Sequence, residues 1–122
     1  MKRRDIGILG EKMARAFLEK KGYHIIETNY RCSEGEIDII GKYDDSLVFV
    51  EVRTKTSLEY GSPEESITAT KKKRLINIAE YYQQTHTNLL SQWRIDVVAI
   101  ELTQHGELSR IELIENAVTD NR

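Results

Sequence analysis

The stretch GEIDIIGKYDDSLVFVEVR, residues 35–53, decides the fold because two apolar runs are separated in it by a short polar segment. Each run has the length and the β-branched content of a buried strand, and the segment between them is typical of a hairpin turn. A single acid interrupts each run, Asp38 in the first and Glu51 in the second. Because an unpaired carboxylate inside a fold is costly, both acids need a positively charged partner.

The hairpin is predicted to bring the two acids together. Side chains alternate between the two faces of a strand, so Glu36 and Asp38 share one face, as do Glu51 and Arg53. A symmetric turn about residues 44–45 then places Asp38 opposite Glu51 and Glu36 opposite Arg53. A register slip of one residue would separate the acids, so the prediction depends on this turn.

Directly opposed carboxylates destabilise a sheet unless a cation lies between them. Mg²⁺ and Mn²⁺ prefer oxygen ligands and are commonly held by one or two carboxylates. The pair Asp38 and Glu51 therefore predicts a site for Mg²⁺ or Mn²⁺. The alternative is a purely structural cluster of ion pairs, in which Glu36 pairs with Arg53 and Glu51 pairs with Lys55 or Lys71.

Three basic residues accompany the acids. Arg53 and Lys55 follow Glu51 on the same strand face, and Lys71 begins a helical stripe whose other members are apolar. A metal that activates water, beside a cation that stabilises developing charge, is suited to phosphodiester cleavage. The pattern predicts Asp38, Glu51, Arg53 and Lys55 as catalytic residues, and Arg53, Lys55 and Lys71 as contacts for nucleic acid. For the run 71–74 the alternative is a solvated basic turn.

The remaining chain predicts one domain, residues 1–122, of the α/β class with a mixed central sheet flanked by helices. The element order is αβββαββ. Ser62-Pro63-Glu64-Glu65 is a capping box that begins the second helix. The predicted elements are a helix at 5–21, strands at 23–30, 36–42 and 47–55, a helix from Ser62 to about His86 with a break near Thr68, and strands at 93–100 and 108–114.

The first helix carries one charged residue in an unusual place. Its apolar stripe is predicted to contain Ile6, Leu9, Met13, Ala16 and Phe17, at spacings of three and four residues. Glu11 belongs neither to this stripe nor to the charged face. It shares a third line with small and apolar residues, which indicates a helix edge that faces a cleft; the alternative is an edge residue in water.

Composition limits the class of protein. A hydrophobic content of 39% and a charged content of 31% are typical of a folded soluble domain. The single cysteine, Cys32, excludes an internal disulfide and predicts a reducing, cytoplasmic compartment, and no run of residues is apolar enough to predict a membrane segment. The net charge of −2 does not favour non-specific nucleic-acid binding, but residues 1–31 hold eight Lys or Arg against four Asp or Glu.

Several motifs together resemble the YraN family of small bacterial proteins, and the resemblance extends over nearly the whole chain. These motifs are Leu9-Gly10-Glu11 with Ala14, Asn29-Tyr30-Arg31, Gly35-Glu36-Ile37-Asp38, Phe49-Val50-Glu51-Val52-Arg53 and Arg94-Ile95-Asp96-Val97-Val98. That family is similar to the PD-(D/E)xK nuclease superfamily, which includes restriction endonucleases and Holliday-junction resolvases. The resemblance implies a restriction-endonuclease-like fold in which Asp38, Glu51 and Glu11 are metal ligands.

The chain departs from the superfamily at one position. The usual residue two places after the second acid is lysine, and here it is Arg53, which is always protonated and cannot act as a base. The sequence therefore predicts a metal-dependent endonuclease-like protein acting on DNA or RNA. The alternatives are a non-catalytic nucleic-acid-binding module on the same scaffold and an interaction protein with a structural acid cluster. Whether the protein acts as a monomer or a homodimer stays open.

Overall fold

The fold is given by a computed structural model, which describes residues 1–87 and 90–119. These residues form two α-helices, five β-strands and one short 3-10 turn. In chain order the elements are α1 (Arg3–Lys20), β1 (His24–Cys32), β2 (Gly35–Tyr43), β3 (Ser46–Lys55), the 3-10 turn (Glu64–Ser66), α2 (Ala69–Thr85), β4 (Gln92–Leu102) and β5 (Leu108–Val118). The α/β class is confirmed, and the 3-10 turn adds an element to the predicted order.

The strands form one five-stranded sheet in the order β1-β2-β3-β4-β5. Neighbouring strands are antiparallel except β3 and β4, which are parallel. A parallel pair requires a long crossover, and α2 lies in the connection that supplies it. The predicted mixed sheet is therefore confirmed.

Each helix covers one face of the sheet. Alternating residues of β3 enter two separate cores, so Val48 and Val50 pack on the α1 side while Leu47 and Phe49 pack on the α2 side. Burial on both faces explains why the central strands are almost continuously apolar. The α1 core also contains Ala14, Leu18, Ile39, Val98 and Ile100; the α2 core also contains Ile37, Ile40, Leu75, Ile78, Tyr82 and Ile95.

The face that α1 turns toward the sheet is rotated from the predicted stripe. Ala16 is exposed, and four other members of that stripe are only partly buried. A Cβ added at Gly10 would lie 1.9 Å from Thr54 Oγ1, so α1 approaches β3 most closely where it has no side chain. The buried helix positions are therefore Gly10, Ala14 and Leu18.

The predicted break near Thr68 is confirmed. The capping box forms, because Ser62 N donates to Glu65 Oε1 at 3.1 Å and Glu65 N donates to Ser62 Oγ at 3.3 Å. It supports only the 3-10 turn, and α2 starts afresh with Thr68 as its N-cap, which accepts a hydrogen bond from Lys71 N. Neither helix of the described ranges is long and apolar enough to cross a membrane.

A second buried acid, Asp96, shows how this fold satisfies a structural carboxylate. Asp96 is fully buried, and Arg94 Nε donates to its Oδ1 at 3.0 Å. Tyr23 Oη donates to Oδ2 at 2.8 Å, and Asn116 N donates to Oδ1 at 2.9 Å. Asp96 is thus surrounded by donors and is charge-balanced by Arg94.

Candidate active site

The hairpin of β2 and β3 has the predicted register. Ile39 pairs with Val50 and Tyr43 pairs with Ser46, so the strands turn symmetrically about residues 44–45. Asp44 adopts a positive φ of 50°, which tight hairpin turns require and which Asp tolerates. One step beyond the last pair, the same register leads to Asp38 and Glu51.

The carboxyl groups of Asp38 and Glu51 meet at this point. Here a hydrogen bond from a backbone N–H to the Asp38 side chain takes the place of the backbone hydrogen bonds between β2 and β3. Val52 N donates to Asp38 Oδ2 at 2.7 Å. Burial, together with the charge of Glu51 and a hydrogen bond between the two carboxyl groups, raises the pKa of Asp38 to about 8. At neutral pH, without a cation, the pair therefore retains a proton.

Strict alternation of side chains is lost around Asp38, which corrects the predicted pattern of β2. Ile37 packs in the α2 core and Ile39 packs in the α1 core, although an ideal strand would put them on one face. Asn29, which lies across from Asp38 on β1, has a positive φ of 53°. The strand pair is thus distorted at Asp38, which interacts with Glu51 and also with Glu11 on α1.

The predicted pairing of Glu36 with Arg53 is wrong. The pairing of β2 with β3 begins at Ile39, so residue 36 is paired only with β1. Its partner there is Arg31, whose Nε lies 3.1 Å from Glu36 Oε2. Both side chains are exposed enough for solvent to weaken this pair.

Glu51 is the carboxylate whose charge the protein itself compensates. It is 3% exposed, and its Oε2 lies 3.4 Å from Lys71 Nζ and 3.6 Å from Arg53 Nη1. The ion-pair alternative of the sequence analysis predicted Lys55 or Lys71 as the partner of Glu51, and the structure shows Lys71. Asp38, in contrast, forms no ion pair with Lys or Arg in the described part of the chain.

Arg53 is held by a residue that the sequence analysis missed. Its Nε donates to Ser66 Oγ at 3.0 Å, and its Nη2 donates to the Ser66 carbonyl at 3.3 Å. The third nitrogen, Nη1, is the one directed to Glu51. Ser66 ends the 3-10 turn, so this turn fixes the guanidinium beside the acid pair.

Lys55 lies on the same strand but contacts backbone carbonyls of the following loop and not the acid pair. Its Nζ donates to the carbonyl of Gly61 at 3.3 Å and to that of Tyr60 at 3.5 Å. It forms no ion pair with Asp38 or Glu51. Of Lys55 and Lys71, only Lys71 lies within ion-pair distance of the acid pair.

Glu11 faces a cleft, as predicted, and is oriented by Asn29. Asn29 Nδ2 donates to Glu11 Oε1 at 2.8 Å. Burial and the negative charge of Asp38 raise the pKa of Glu11, while the Asn29 hydrogen bond opposes the rise. The motif Asn29-Tyr30-Arg31 contains this residue, and a positive φ, which Asn tolerates well, explains its residue type.

Asp38, Glu11 and Arg53 line a cleft of about 1090 Å³ between the start of α1 and the end of β3, whereas Glu51 and Lys71 do not line it. We call it the α1–β3 cleft. Three acids and five basic residues line it, so it presents groups of both charges. The sequence analysis did not assign Arg3, Arg4 or Arg31 to the site. The cleft is lined, among others, by Glu11, Glu36, Asp38, Arg3, Arg4, Arg31, Arg53 and Lys55.

The acid pair fits a divalent cation in its donor chemistry. Asp38 and Glu51 present carboxylate oxygens, which Mg²⁺ and Mn²⁺ prefer, and a bound cation would offset both the burial of Asp38 and the charge of Glu51, which raise the pKa of Asp38. Within residues 1–87 and 90–119, no three His, Cys, Asp or Glu side chains form a ready-made metal cluster. Mg²⁺ commonly keeps water in its shell, so two carboxylates suffice for this class of site.

Comparison with known proteins identifies the family. Residues 10–100 match the family described as uncharacterised protein family UPF0102. The matched segment contains the acid pair, Glu11, Asn29, Lys71 and Arg53. The chain belongs to this family of uncharacterised proteins, which is the YraN family that its motifs resemble.

Relatives in other bacteria match along the chain. A UPF0102 protein of Caldicellulosiruptor saccharolyticus is 44% identical over 117 residues, which cover 96% of this chain and 99% of the relative. A second, from Dehalococcoides mccartyi, is 48% identical and covers 95% of this chain and 94% of the relative. A third, from Syntrophus aciditrophicus, is 47% identical over 111 residues, covering 91% and 86% respectively.

Proposed function

We propose that this protein is a divalent-metal-dependent phosphodiesterase of the restriction-endonuclease-like class, acting on DNA or RNA. The observation that carries the proposal is the contact of Asp38 with the buried Glu51, because Asp38 also lines a cleft that is lined by five basic residues. The mixed five-stranded sheet between two helices, with the acids on the adjacent strands β2 and β3, supports the superfamily assignment.

Asp38 and Glu51 would hold the metal, with Glu11 at the adjacent edge of the cleft. When bound, Mg²⁺ or Mn²⁺ supplies a polarised phosphate oxygen and a water of lowered pKa. The two carboxylates would hold the cation beside the β2–β3 hairpin, and the Val52 N–H fixes the position of one oxygen of Asp38. Asn29 fixes Glu11 in the same manner.

Lys71 and Arg53 together would supply the positive charge beside the acid pair that a single lysine supplies in the superfamily. Lys71 Nζ, 3.4 Å from Glu51, is the ammonium available to exchange a proton or to stabilise a developing negative charge. Arg53 stays protonated, and its two hydrogen bonds to Ser66 hold it in place as a fixed positive charge. A fixed charge needs little reorganisation during the reaction, which favours electrostatic stabilisation.

The basic border of the cleft supplies phosphate binding. Arg3, Arg4 and Arg31 are exposed, so their guanidinium groups retain their hydration until a phosphate displaces it. Salt-dependent association is the expected signature of such contacts, because each neutralised phosphate releases counterions.

A non-catalytic nucleic-acid-binding module is the second candidate function. Arg53 replaces the usual lysine, and Lys55 is committed to two loop carbonyls, so neither residue is free to act as a base. A structural role for the acids is less well supported. Glu51 has two cationic partners, as such a role requires, but Asp38 lacks the full set of donors that surrounds Asp96.

Calorimetric titration with Mn²⁺ tests the metal site directly. The native protein should bind one ion, and Asp38→Asn and Glu51→Gln should each abolish the heat of binding. Asp45→Asn is the matched control, because Asp45 is an exposed acid in the turn of the same hairpin. A titration unchanged in both Asp38→Asn and Glu51→Gln would place the ion elsewhere and remove the proposed site.

Cleavage assays then separate the two candidate functions. Branched DNA, linear duplex DNA and structured RNA are incubated with Mn²⁺ and the native protein, with Asp38→Asn as the negative control. Cleavage that Asp38→Asn abolishes identifies the phosphodiesterase. Salt-sensitive binding with no cleavage of any substrate identifies the binding module.

A further inference from the structure

Tyr60 is the most exposed large hydrophobic residue of the described chain, at 86%. Its side chain lines the α1–β3 cleft together with Met1 and Ile8, each 57% exposed. Three of the six exposed large hydrophobic residues among residues 1–87 and 90–119 therefore border one cleft. Apolar groups displayed beside a polar site indicate a ligand with apolar surfaces.

The backbone around Tyr60 is held in a defined turn. Gly61 N donates to the Leu58 carbonyl at 3.1 Å, and Lys55 Nζ donates to the carbonyls of both Tyr60 and Gly61. Gly61 has a positive φ of 98°, which suits the end of such a turn. Lys55 thus anchors the turn that displays the ring, which gives this lysine a role other than phosphate contact.

The cleft combines apolar and basic groups in a specific way. Arg3 and Arg4 come from the same segment as Met1 and Ile8, and Arg53 and Lys55 come from the strand that leads to Tyr60. The α1 segment therefore offers exposed cations for phosphates beside apolar surface, and the opposite side of the cleft offers the Tyr60 ring. A paired duplex presents phosphates on its outside but hides the faces of its bases, so it would leave the apolar groups unused.

We infer that the α1–β3 cleft binds an unpaired segment of nucleic acid, with one base stacked on Tyr60. The inference rests on the proposed function and specifies its substrate class. Stacking on an aromatic ring tolerates any base, because every base has a flat π surface. Specificity would then be for an unpaired strand, a flap or a loop, and not for a sequence.

Binding of a single strand and of the corresponding duplex tests this inference. The probe is a fluorescent mixed-sequence DNA strand of about twelve nucleotides, within the usual range for single-strand sites, alone or paired to its complement. EDTA is present so that neither probe is cleaved. The proteins are native, Tyr60→Ala, Tyr60→Phe and the matched control Tyr81→Ala, which removes a partly exposed tyrosine of α2 outside the cleft. Melting temperatures confirm that each variant is folded.

Tyr60→Ala should weaken single-strand binding roughly 5- to 150-fold, as expected for loss of one base stack, and leave duplex binding unchanged. Tyr60→Phe and Tyr81→Ala should bind the single strand like the native protein. Equal loss for both probes, or no loss for either, would overturn the stacking inference while leaving phosphate binding at the cleft intact. Absence of salt-sensitive binding of either probe to the native protein would overturn both this inference and the proposed function.

Discussion

Lys71 Nζ lies 3.4 Å from Glu51 Oε2, so the first turn of α2 is joined by an ion pair to the middle of β3. Glu51 is almost fully buried, whereas the Lys71 side chain is 30% exposed. The lysine is thus the solvent-facing partner of an internal acid. It connects the crossover helix to the cleft and makes the stability of the protein depend on the same charges as its proposed chemistry.

Removing Lys71 should therefore destabilise the fold. Lys71→Met leaves Glu51 with Arg53 as its remaining cation, and we expect a loss of about 1–2 kcal/mol, less than for a fully unpaired buried charge. Urea unfolding at pH 7 measures this loss. Lys72→Met is the matched control, because Lys72 is an exposed neighbour on the same helix. The double variant Lys71→Met with Glu51→Gln should lose less than the sum of the two single changes, and simple additivity would contradict the coupling.

The pH dependence of stability should report the acid pair. The pKa of Asp38 is raised in the folded protein from an ordinary value of 3.8 to about 8, so between these values the folded state binds more protons than the unfolded state. Stability from this group is therefore complete below about pH 4 and is lost as the pH rises through about 8. Measurements of the free energy of unfolding from pH 5 to 9, with EDTA, should show this decline.

Asp38→Asn should remove that decline. The amide keeps an oxygen that can accept the Val52 N–H but carries no charge toward Glu51. Relief of the like-charge contact should raise the melting temperature at pH 8 by about 4 °C, corresponding to roughly 1 kcal/mol. Asp45→Asn should leave the pH profile unchanged. An identical profile for the native protein and Asp38→Asn would assign the titration to another group.

The register that joins the acids was predictable because it depends on local features. Two apolar runs of similar length with a symmetric polar turn leave few alternatives, and the turn at residues 44–45 realises the expected pairing. The break before α2 was predictable for the same reason, since Thr68 is a good N-cap within a segment that already contains a capping box. The contact of Lys71 with Glu51 followed from its position at the head of a buried helical stripe.

Other parts of the site depend on tertiary contacts that have no local signal. The distortion at Asp38 depends on the pairing of β1 with β2. The positive φ of Asn29 can be related to this distortion only when that strand pairing is known. The partner of Glu36 depends on whether β1 or β3 is paired with β2 at residue 36, and only β1 is. Ser66 reaches Arg53 only because the 3-10 turn folds back over β3. Periodicity cannot reveal any of these contacts, because it describes each element in isolation.

Gly10 should be intolerant of a larger residue although it lies inside a helix. Alanine is normally the better helix former by about 1 kcal/mol. Here the new methyl group would lie 1.9 Å from Thr54 Oγ1 and 2.9 Å from Thr54 Cβ, so α1 must move away from β3. We expect Gly10→Ala to lower stability by about 1–3 kcal/mol, as overpacking usually does. Gly7→Ala is the control, because no atom lies within 4 Å of the added methyl, and it should be neutral or stabilising. Thermal unfolding of both variants makes the comparison.

The salt dependence of nucleic-acid binding should identify the phosphate contacts. Arg3→Gln and Arg4→Gln remove exposed cations at the border of the cleft, and each should lower the slope of log affinity against log salt by about 0.7–0.9. Arg15→Gln is the matched control, because Arg15 is an exposed arginine of the same helix outside the cleft. An equal effect of all three changes would mean that binding follows overall charge and not the cleft.

The substitution Arg53→Lys tests whether the catalytic ammonium is at position 53 or at position 71. The change restores the usual superfamily residue but loses the two donors that bind Ser66, so the melting temperature should fall. Because Lys71 already places an ammonium beside Glu51, we expect cleavage by Arg53→Lys to stay within about threefold of the native rate. Lys71→Met should instead lower the rate about 10²–10³-fold, the usual cost of removing one charge-stabilising donor from an active site.

Single-turnover rates at saturating Mn²⁺ separate this chemical step from binding, and Lys72→Met should retain the native rate. A rise of tenfold or more in Arg53→Lys, with native activity in Lys71→Met, would assign the catalytic ammonium to position 53 and leave Lys71 a structural partner of Glu51.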